Sequence, residues 1–351
     1  MLVVHMDSGL GNQMLDYAEY LAIKESNPDK ECYLENIVYD IPCEDGMFAI
    51  WNGYELDRIF GINPPNIKDI LPEESYQKVC HKVVESKFWE EGWNFAPHIT
   101  KALNEEGIKL NNLGKAKITD LSESTDIKGR IKYMRSLFFK TSVGYHIKRI
   151  LRKLLADKII AKDNASYDIF RIYPDDSFVG HSFKFKYKGF GIERIDEKIR
   201  EAFKFPVITD ERNLKMLELL QNTNSVSIHA RRSDLLFLNG HCYEHGYFRR
   251  AVRYLKKHVA NPVFVFFTDE NSIGWCEENE DIFGLDFAKD KVEFVTWNKG
   301  ESSYIDMYLM SQCKHNIFTE STFGFWGAYL NTNPNKITCA PDPAILATHS
   351  F

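Results

Sequence analysis

The chain has no run of 18 apolar residues, no Cys-X-X-Cys pair, no low-complexity tract and no internal repeat. Each absence removes a class of protein. Without a long apolar run the chain is expected not to span a membrane. The first apolar strand opens at Leu2 with no basic, apolar leader before it, so a cytoplasmic protein is expected. The seven cysteines are scattered and odd in number, which implies neither a zinc site nor a disulfide framework and points to a reducing compartment. Excess basic charge is also lacking: 44 Lys and Arg against 50 Asp and Glu give a net charge of −6, which argues against a nucleic-acid partner.

What is present is enough apolar material, 44% of 351 residues, for two domains with separate cores. A domain over 1–215 and another over 216–351 are expected. The spacing predicts buried strands at Val226–Ala230, Val263–Phe267, Val292–Thr296, Asn316–Phe318 and Lys336–Cys339. Helices are predicted between them over Tyr247–Val259, Ser302–Cys313 and Thr322–Asn331. This alternation is that of a Rossmann-like α/β domain. The N-terminus repeats it with a strand at Leu2-Val3-Val4, a turn at Ser8-Gly9-Leu10-Gly11, and a helix from Asn12 to Glu25 with Leu15, Ala18 and Ala22 on one face.

Two strand ends carry chemistry. In Ser227-Ile228-His229-Ala230-Arg231-Arg232-Ser233-Asp234, alternation puts His229 and Arg231 on one face and Ile228 and Ala230 on the other. A guanidinium at the C-terminal edge of a parallel sheet suits a diphosphate. In Phe318-Thr319-Glu320-Ser321-Thr322, a strand end runs into a helix whose N-cap would be Ser321; its first-turn N–H groups, with the Ser321 and Thr322 hydroxyls, form an anion site. Gly9 and Gly11 are expected to let the first turn approach a ligand closely. An NAD site, and with it a sugar-nucleotide oxidoreductase, is less favoured, because Met14 stands where a third glycine is wanted.

These motifs, in this order, resemble glycosyltransferase family 11, the GDP-fucose-dependent α-1,2-fucosyltransferases of bacterial type. Residues 3–25 are similar to the family's Gly-X-Gly-Asn-Gln opening. Residues 225–341 are similar to its His-X-Arg-Arg-X-Asp block, its Asp-X-X-X-Met-Ser helix (Asp306 to Ser311 here) and its Ser-Ser-Phe-Ser-Trp-Trp-Gly-Ala block. Residues 100–215 match no motif. The chain departs from the pattern at Ser233-Asp234-Leu235, at Thr322-Phe323-Gly324-Phe325-Trp326, where Ser-Phe-Ser-Trp-Trp is usual, and at Asp16. The resemblance implies a GT-B-like architecture, two facing Rossmann-like domains with a nucleotide-sugar cleft. It also implies transfer of L-fucose from GDP-β-L-fucose to a galactose 2-hydroxyl of a surface glycan. Animal members of the family carry a Golgi membrane anchor, so the chain is expected to be a cytosolic enzyme of bacterial type. A GDP- or glycan-binding protein without catalysis is the reading from another class.

The chemistry can be assigned to residues. Cleaving the anomeric bond leaves negative charge on the departing diphosphate, which the site must stabilise. No Asp-X-Asp is present to hold a metal, so a metal-independent reaction without cofactor is expected, with Arg231 as the main stabilising group beside Ser321 and Thr322. The resemblance places His229 and Asp306 on the guanine base, and Gly9, Gly11 and Asn12 near the reacting centre. Asp306 is as readily a charge favouring its helix N-terminus. Asp7, Asp16, Glu320, His241 and His245 are general-base candidates by residue type, and none is singled out. Trp89, Trp93 and Phe95 suit either sugar stacking or the core. Asp269 suits either the donor pocket or a cap.

From Lys128 to Lys162 basic residues far outnumber the single acid, Asp157. Ile147, Ile150, Leu151, Leu154, Leu155, Ile159 and Ile160 recur at helical spacing beside Lys148, Arg149, Arg152, Lys153 and Lys158. The favoured expectation is an apolar face packed on the core with a solvated basic face. The other is peripheral contact of 145–162 with an anionic inner-membrane surface, where a lipid-linked glycan acceptor would lie.

Overall fold

The structure is a computed structural model that describes residues 1–42, 51–112, 127–155, 158, 168–230 and 236–341, with backbone alone at 127–129, 132 and 236–239. It divides into two compact units, one of Met1–Ser124, Asn164–Phe185 and Phe190–Lys204, the other of Thr125–Asp163, Lys186–Gly189 and Phe205–Phe351. The segment 125–163, expected within the first domain, thus groups with the second unit.

In the first unit the strands β1 (Leu2–His5), β2 (Cys32–Glu35), β3 (Asn111–Asn112) and β4 (Ser177–Val179) form a parallel sheet in the order β2-β1-β4-β3. Every residue of β1 is buried, as a strand covered on both faces requires. Its helices include α1 (Leu10–Ser26), α2 (Glu55–Phe60), α3 (Glu73–Ser86) and α4 (Phe95–Glu105). One core joins Val3 and Phe178 of the sheet to Tyr76, Val79 and Val83 of α3 and to Phe95, Ile99 and Leu103 of α4. In the turn from β1 into α1 the left-handed residue is not a glycine. Ser8 carries the left-handed conformation, at φ 69°, whereas Gly9 is an extended N-cap at φ −84° with ordinary space for a β-carbon.

The second unit carries helix α5 (Ile127–Lys140), α6 (Ser142–Leu154), α7 (Glu211–Asn222), α8 (Tyr247–His258), α9 (Tyr304–Gln312) and α10 (Thr322–Leu330). Its strands are β5 (Asn224–His229), β6 (Pro262–Phe267), β7 (Lys291–Val295), β8 (His315–Phe318) and β9 (Thr338–Cys339), all parallel in the order β7-β6-β5-β8-β9. The chain therefore runs outward from β5 in both directions, the Rossmann arrangement. Val226, Ile228 and Ala230 pack with Phe248, Ala251, Val252 and Leu255 of α8. On the opposite face Ser227 Oγ accepts from Asn316 Nδ2 at 2.8 Å, and the same amide reaches the Met310 carbonyl of α9 at 2.8 Å. Over Val226–Ala230 the alternation read from the sequence is the one observed, and both units have the parallel α/β sheets expected of a GT-B protein.

Helices α5 and α6 overturn the favoured expectation for the basic segment. Ile147, Ile150, Leu151, Leu154 and Leu155 of the expected apolar face are exposed, while Gly144 is buried and Tyr145, Arg149 and Arg152 are half-buried; Ile159 and Ile160 lie outside the described residues. Among the described residues no helix is long and apolar enough to cross a membrane.

Candidate active site

Ligands of open parallel sheets sit beyond the strand C-termini where the strand order reverses. In the second unit that point lies between β5 and β8, whose last residues His229 and Phe318 are paired in register. Arg231, with residues 232–235, lies outside the described residues. His229 is buried, with its ring 5.7 Å from that of Phe323 in the first turn of α10. Ser321 occupies the expected N-cap at φ −71°, ψ 132°, but its side chain makes no cap hydrogen bond. Thr322 opens the helix. His229, Ser321 and Thr322 are thus brought to one edge of one sheet.

Asp306 stands in the first turn of α9, with Oδ1 accepting from Asn298 Nδ2 at 2.7 Å. Asn298 is held in turn by Asn213, whose Oδ1 also accepts from Trp297 Nε1 at 2.9 Å. Burial, together with the Asp269 charge, pushes the Asp306 carboxyl up to about 7, against the smaller opposing effect of Asn298. Asp269 follows β6 at the N-cap of a short helix without capping it, and its Oδ2 is buried without a hydrogen-bond partner. Asp306 is thus a carboxyl that takes up a proton readily and becomes an anionic hydrogen-bond acceptor once ionised.

The C-terminal edge of the first sheet holds a cluster that sequence reasoning missed. His5 Nδ1 lies 2.5 Å from Glu35 Oε2, and its Nε2 lies 3.2 Å from Asp7 Oδ2. The same oxygen accepts from Trp93 Nε1 at 2.5 Å and faces His181 Nε2 at 3.2 Å, while Ser8 donates to Asp7 Oδ1 at 2.7 Å. Burial disfavours the charged form of His5, yet Glu35 and Asp7 overcome it and raise its pKa to about 9. Burial likewise opposes ionisation of Asp7, and His181 and His5 hold its carboxyl well below the usual range. Asp16 goes the other way: burial first, then the charges of Asp7 and Glu19, raise it well above that range.

Ring packing fixes this cluster. His5 stacks on Phe95 at 3.8 Å and His181 on Phe183 at 4.0 Å. Phe95 belongs to the core and Trp93 is tied to Asp7. The ligand atoms of His5, Asp7 and His181 lie within 4.8 Å of one another, a metal-ligand spacing that no other described trio of His, Cys, Asp or Glu has. His5 and Asp7 share a face at a strand end, a His-X-Asp signal comparable to His229-X-Arg231; His181 comes from a region with no motif.

Gln13 has a structural task in this turn: its amide donates to the Ser8 and Gly53 carbonyls at 3.0 and 2.8 Å and accepts from Glu55 N at 2.9 Å. Asn12 is half-buried one residue earlier, and Gly9 and Gly11 flank it at the N-terminus of α1. Of the base candidates, Asp7 and Asp16 are fully enclosed. Glu320 lies 3.8 Å from His241, and the His245 ring packs 4.6 Å from Tyr145.

Comparison with known proteins agrees with the motifs. The chain is 36% identical over 154 residues to an α-1,2-colitosyltransferase of Escherichia coli, covering 42% of this chain and 50% of that protein. It is 36% identical over 130 residues to the O-antigen biosynthesis glycosyltransferase WbnK of Escherichia coli, covering 35% and 40%. It is 36% identical over 110 residues to galactoside alpha-(1,2)-fucosyltransferase 1 of Plecturocebus brunneus, covering 30% and 28%. The chain thus spans half or less of the length of these relatives. Among solved structures it is similar to a mutant of Arabidopsis thaliana FUT1 in complex with GDP, at 10% identity and TM-score 0.42 over 97% of this chain and 70% of that one. It is also similar to Escherichia coli ADP-heptose lps heptosyltransferase II, at 10% identity and TM-score 0.40 over 100% and 89%. Residues 141–343, more than half of the chain, match the family model described as glycosyl transferase family 11, and the chain belongs to that family.

Proposed function

We propose that the chain is an inverting transferase that moves L-fucose from GDP-β-L-fucose to a galactose 2-hydroxyl of a surface glycan, giving an α-1,2 linkage with no metal on the diphosphate. The observation that carries this reading is the meeting of His229 with the N-terminal turn of α10 where the second sheet's strand order reverses. There the helix N-terminus, Ser321 and Thr322, with Arg231 following β5, stabilise the diphosphate as the anomeric bond breaks. His229 and Asp306 take the guanine, whose N1–H and amino group suit an ionised carboxylate. Asn12, beside Gly9 and Gly11, serves the acceptor hydroxyl. The names of the relatives support both fucose and colitose as the donor sugar, and galactoside as the acceptor.

Purified protein in EDTA, given GDP-fucose, GDP-colitose, GDP-mannose or UDP-galactose, with and without lactose or N-acetyllactosamine, tests all of this through nucleotide release. The expected result is GDP release from GDP-fucose, increased by the galactoside and lost in Arg231→Ala and Arg231→Lys. Stronger release from GDP-colitose would move the donor. GDP binding without turnover would favour a silent binder, and absence of GDP binding would sink the assignment.

A further inference from the structure

Helices α5 and α6 form a defined hairpin. Thr141 caps α6, with its Oγ1 accepting from Gly144 N at 3.1 Å and donating to the Phe138 carbonyl at 2.7 Å. Gly144 sits so tightly on that carbonyl that a β-carbon there would stand 1.9 Å from the oxygen.

The orientation of α6 is the reverse of that in a water-soluble amphipathic helix, whose apolar stripe is the buried one. Tyr145, Arg149 and Arg152 turn inward, with the Tyr145 ring against His245. Val143, Ile147, Ile150, Leu151 and Leu154 face solvent at 64%, 40%, 51%, 44% and 75% exposure. Helix α5 continues the apolar surface with Ile131, Met134, Leu137 and Phe138, all exposed. Scattered exposed apolar residues are ordinary, but a stripe along two consecutive helices marks a surface that something covers.

The charge identifies the occupant. Between Lys128 and Leu155 every residue ionised at neutral pH is Lys or Arg, although the chain as a whole is at −6. Arg130, Arg135, Lys140, Lys148 and Lys153 are exposed beside the apolar stripe. A second copy of the hairpin would bring like charge against like. An anionic bilayer offers acyl chains to the apolar side chains and phosphates to the cations within the same few ångströms. We propose that the α5–α6 hairpin docks this protein on an anionic phospholipid surface, with Ile147, Ile150, Leu151 and Leu154 entering the headgroup boundary and Lys148 and Lys153 pairing with phosphates.

The test is co-sedimentation of the full chain with vesicles of phosphatidylcholine alone and of phosphatidylcholine with phosphatidylglycerol. Binding is expected to the mixed vesicles only. The double substitutions Ile150→Glu with Leu154→Glu, and Lys148→Glu with Lys153→Glu, each weaken it at least about tenfold. All four side chains are exposed, so melting temperature and GDP release with soluble lactose stay unchanged in both variants. No binding to the mixed vesicles overturns the proposal, as does equal binding by wild type and variants. A dimer that Ile150→Glu with Leu154→Glu dissolves, without vesicle binding, overturns it in favour of self-association. Vesicle binding without GDP release upholds the docking surface and counts against the transferase reading alone.

Discussion

Gly324 lies so close to His229 that a β-carbon at position 324 would stand 2.7 Å from the imidazole Nδ1 and 2.8 Å from Phe318 Cβ. The family pattern carries a serine here, so the glycine sets how α10 seats on β5 and β8.

Gly324→Ala should therefore push the helix N-terminus and the imidazole apart. Overpacking of this kind costs about 1–3 kcal/mol. The expected outcome is a lower melting temperature together with weaker GDP binding, read by calorimetry and titration. A variant with unchanged GDP affinity would show that His229 does not touch the nucleotide.

Asp306 gives opposite pH trends in binding and in stability. With its carboxyl raised to about 7, its contribution to stability is fully present below the ordinary value of 3.8 and is lost as pH rises through 7. Guanine donors need the ionised form, so GDP affinity should climb through pH 7 and level off above it. Asp306→Asn keeps an acceptor for Asn298 Nδ2 but removes the charge. It should flatten both trends, gain thermal stability at pH 8 and lose GDP affinity. Retained affinity with a retained pH slope would leave Asp306 a helix-terminus charge only.

Tyr247 ties two strand ends together. Its buried hydroxyl lies 2.7 Å from the Phe318 carbonyl and 2.8 Å from that of Cys339, and so bridges β8 and β9. Tyr247→Phe removes the single O–H that these two buried carbonyls share and should cost about 1–3 kcal/mol by urea unfolding.

The cluster at His5 makes the first unit sensitive to alkali. Its imidazole titrates at the ordinary 6.5 in the unfolded chain and at about 9 in the folded one, so its stabilisation is complete below 6.5 and lost as pH rises through 9. Urea midpoints should fall over that window, and less so in Glu35→Gln, which keeps an acceptor for Ile37 N. Dialysis against EDTA should leave both the midpoint and GDP release unaltered. A midpoint that drops with EDTA and returns with zinc would show that His5, Asp7 and His181 hold a metal.

The parts legible in the sequence were those with a period or a motif. The strand at Val226–Ala230 and the helix after Ser321 are present within a residue or two, because strand alternation and the break from strand into helix are local signals. The reach of His181 to Asp7 was not legible, because it depends on β4 pairing beside β1 across more than 170 residues of chain. The glycine turn itself was legible, but not that Ser8 takes its left-handed conformation, with its carbonyl accepting from Gln13 and Tyr39 and its hydroxyl donating to Asp7. The basic helix kept its amphipathic period, but periodicity alone does not say which face is buried.

The strand order of the first unit bears on how the chain is made. Strand β4 lies between β1 and β3, so β3 has no place in the sheet until Ser177–Val179 has left the ribosome. By then Thr125–Asp163, which groups with the other unit, has already emerged. Synthesis thus presents a half-built sheet and an apolar, basic hairpin at the same moment, when a nascent chain most needs chaperone cover. A fragment that ends between Asn112 and Ser177 keeps β1 and β2 paired but leaves β3 without β4, its neighbour among the described strands, so dissection of the protein has to follow the interleaved units and not a single cut.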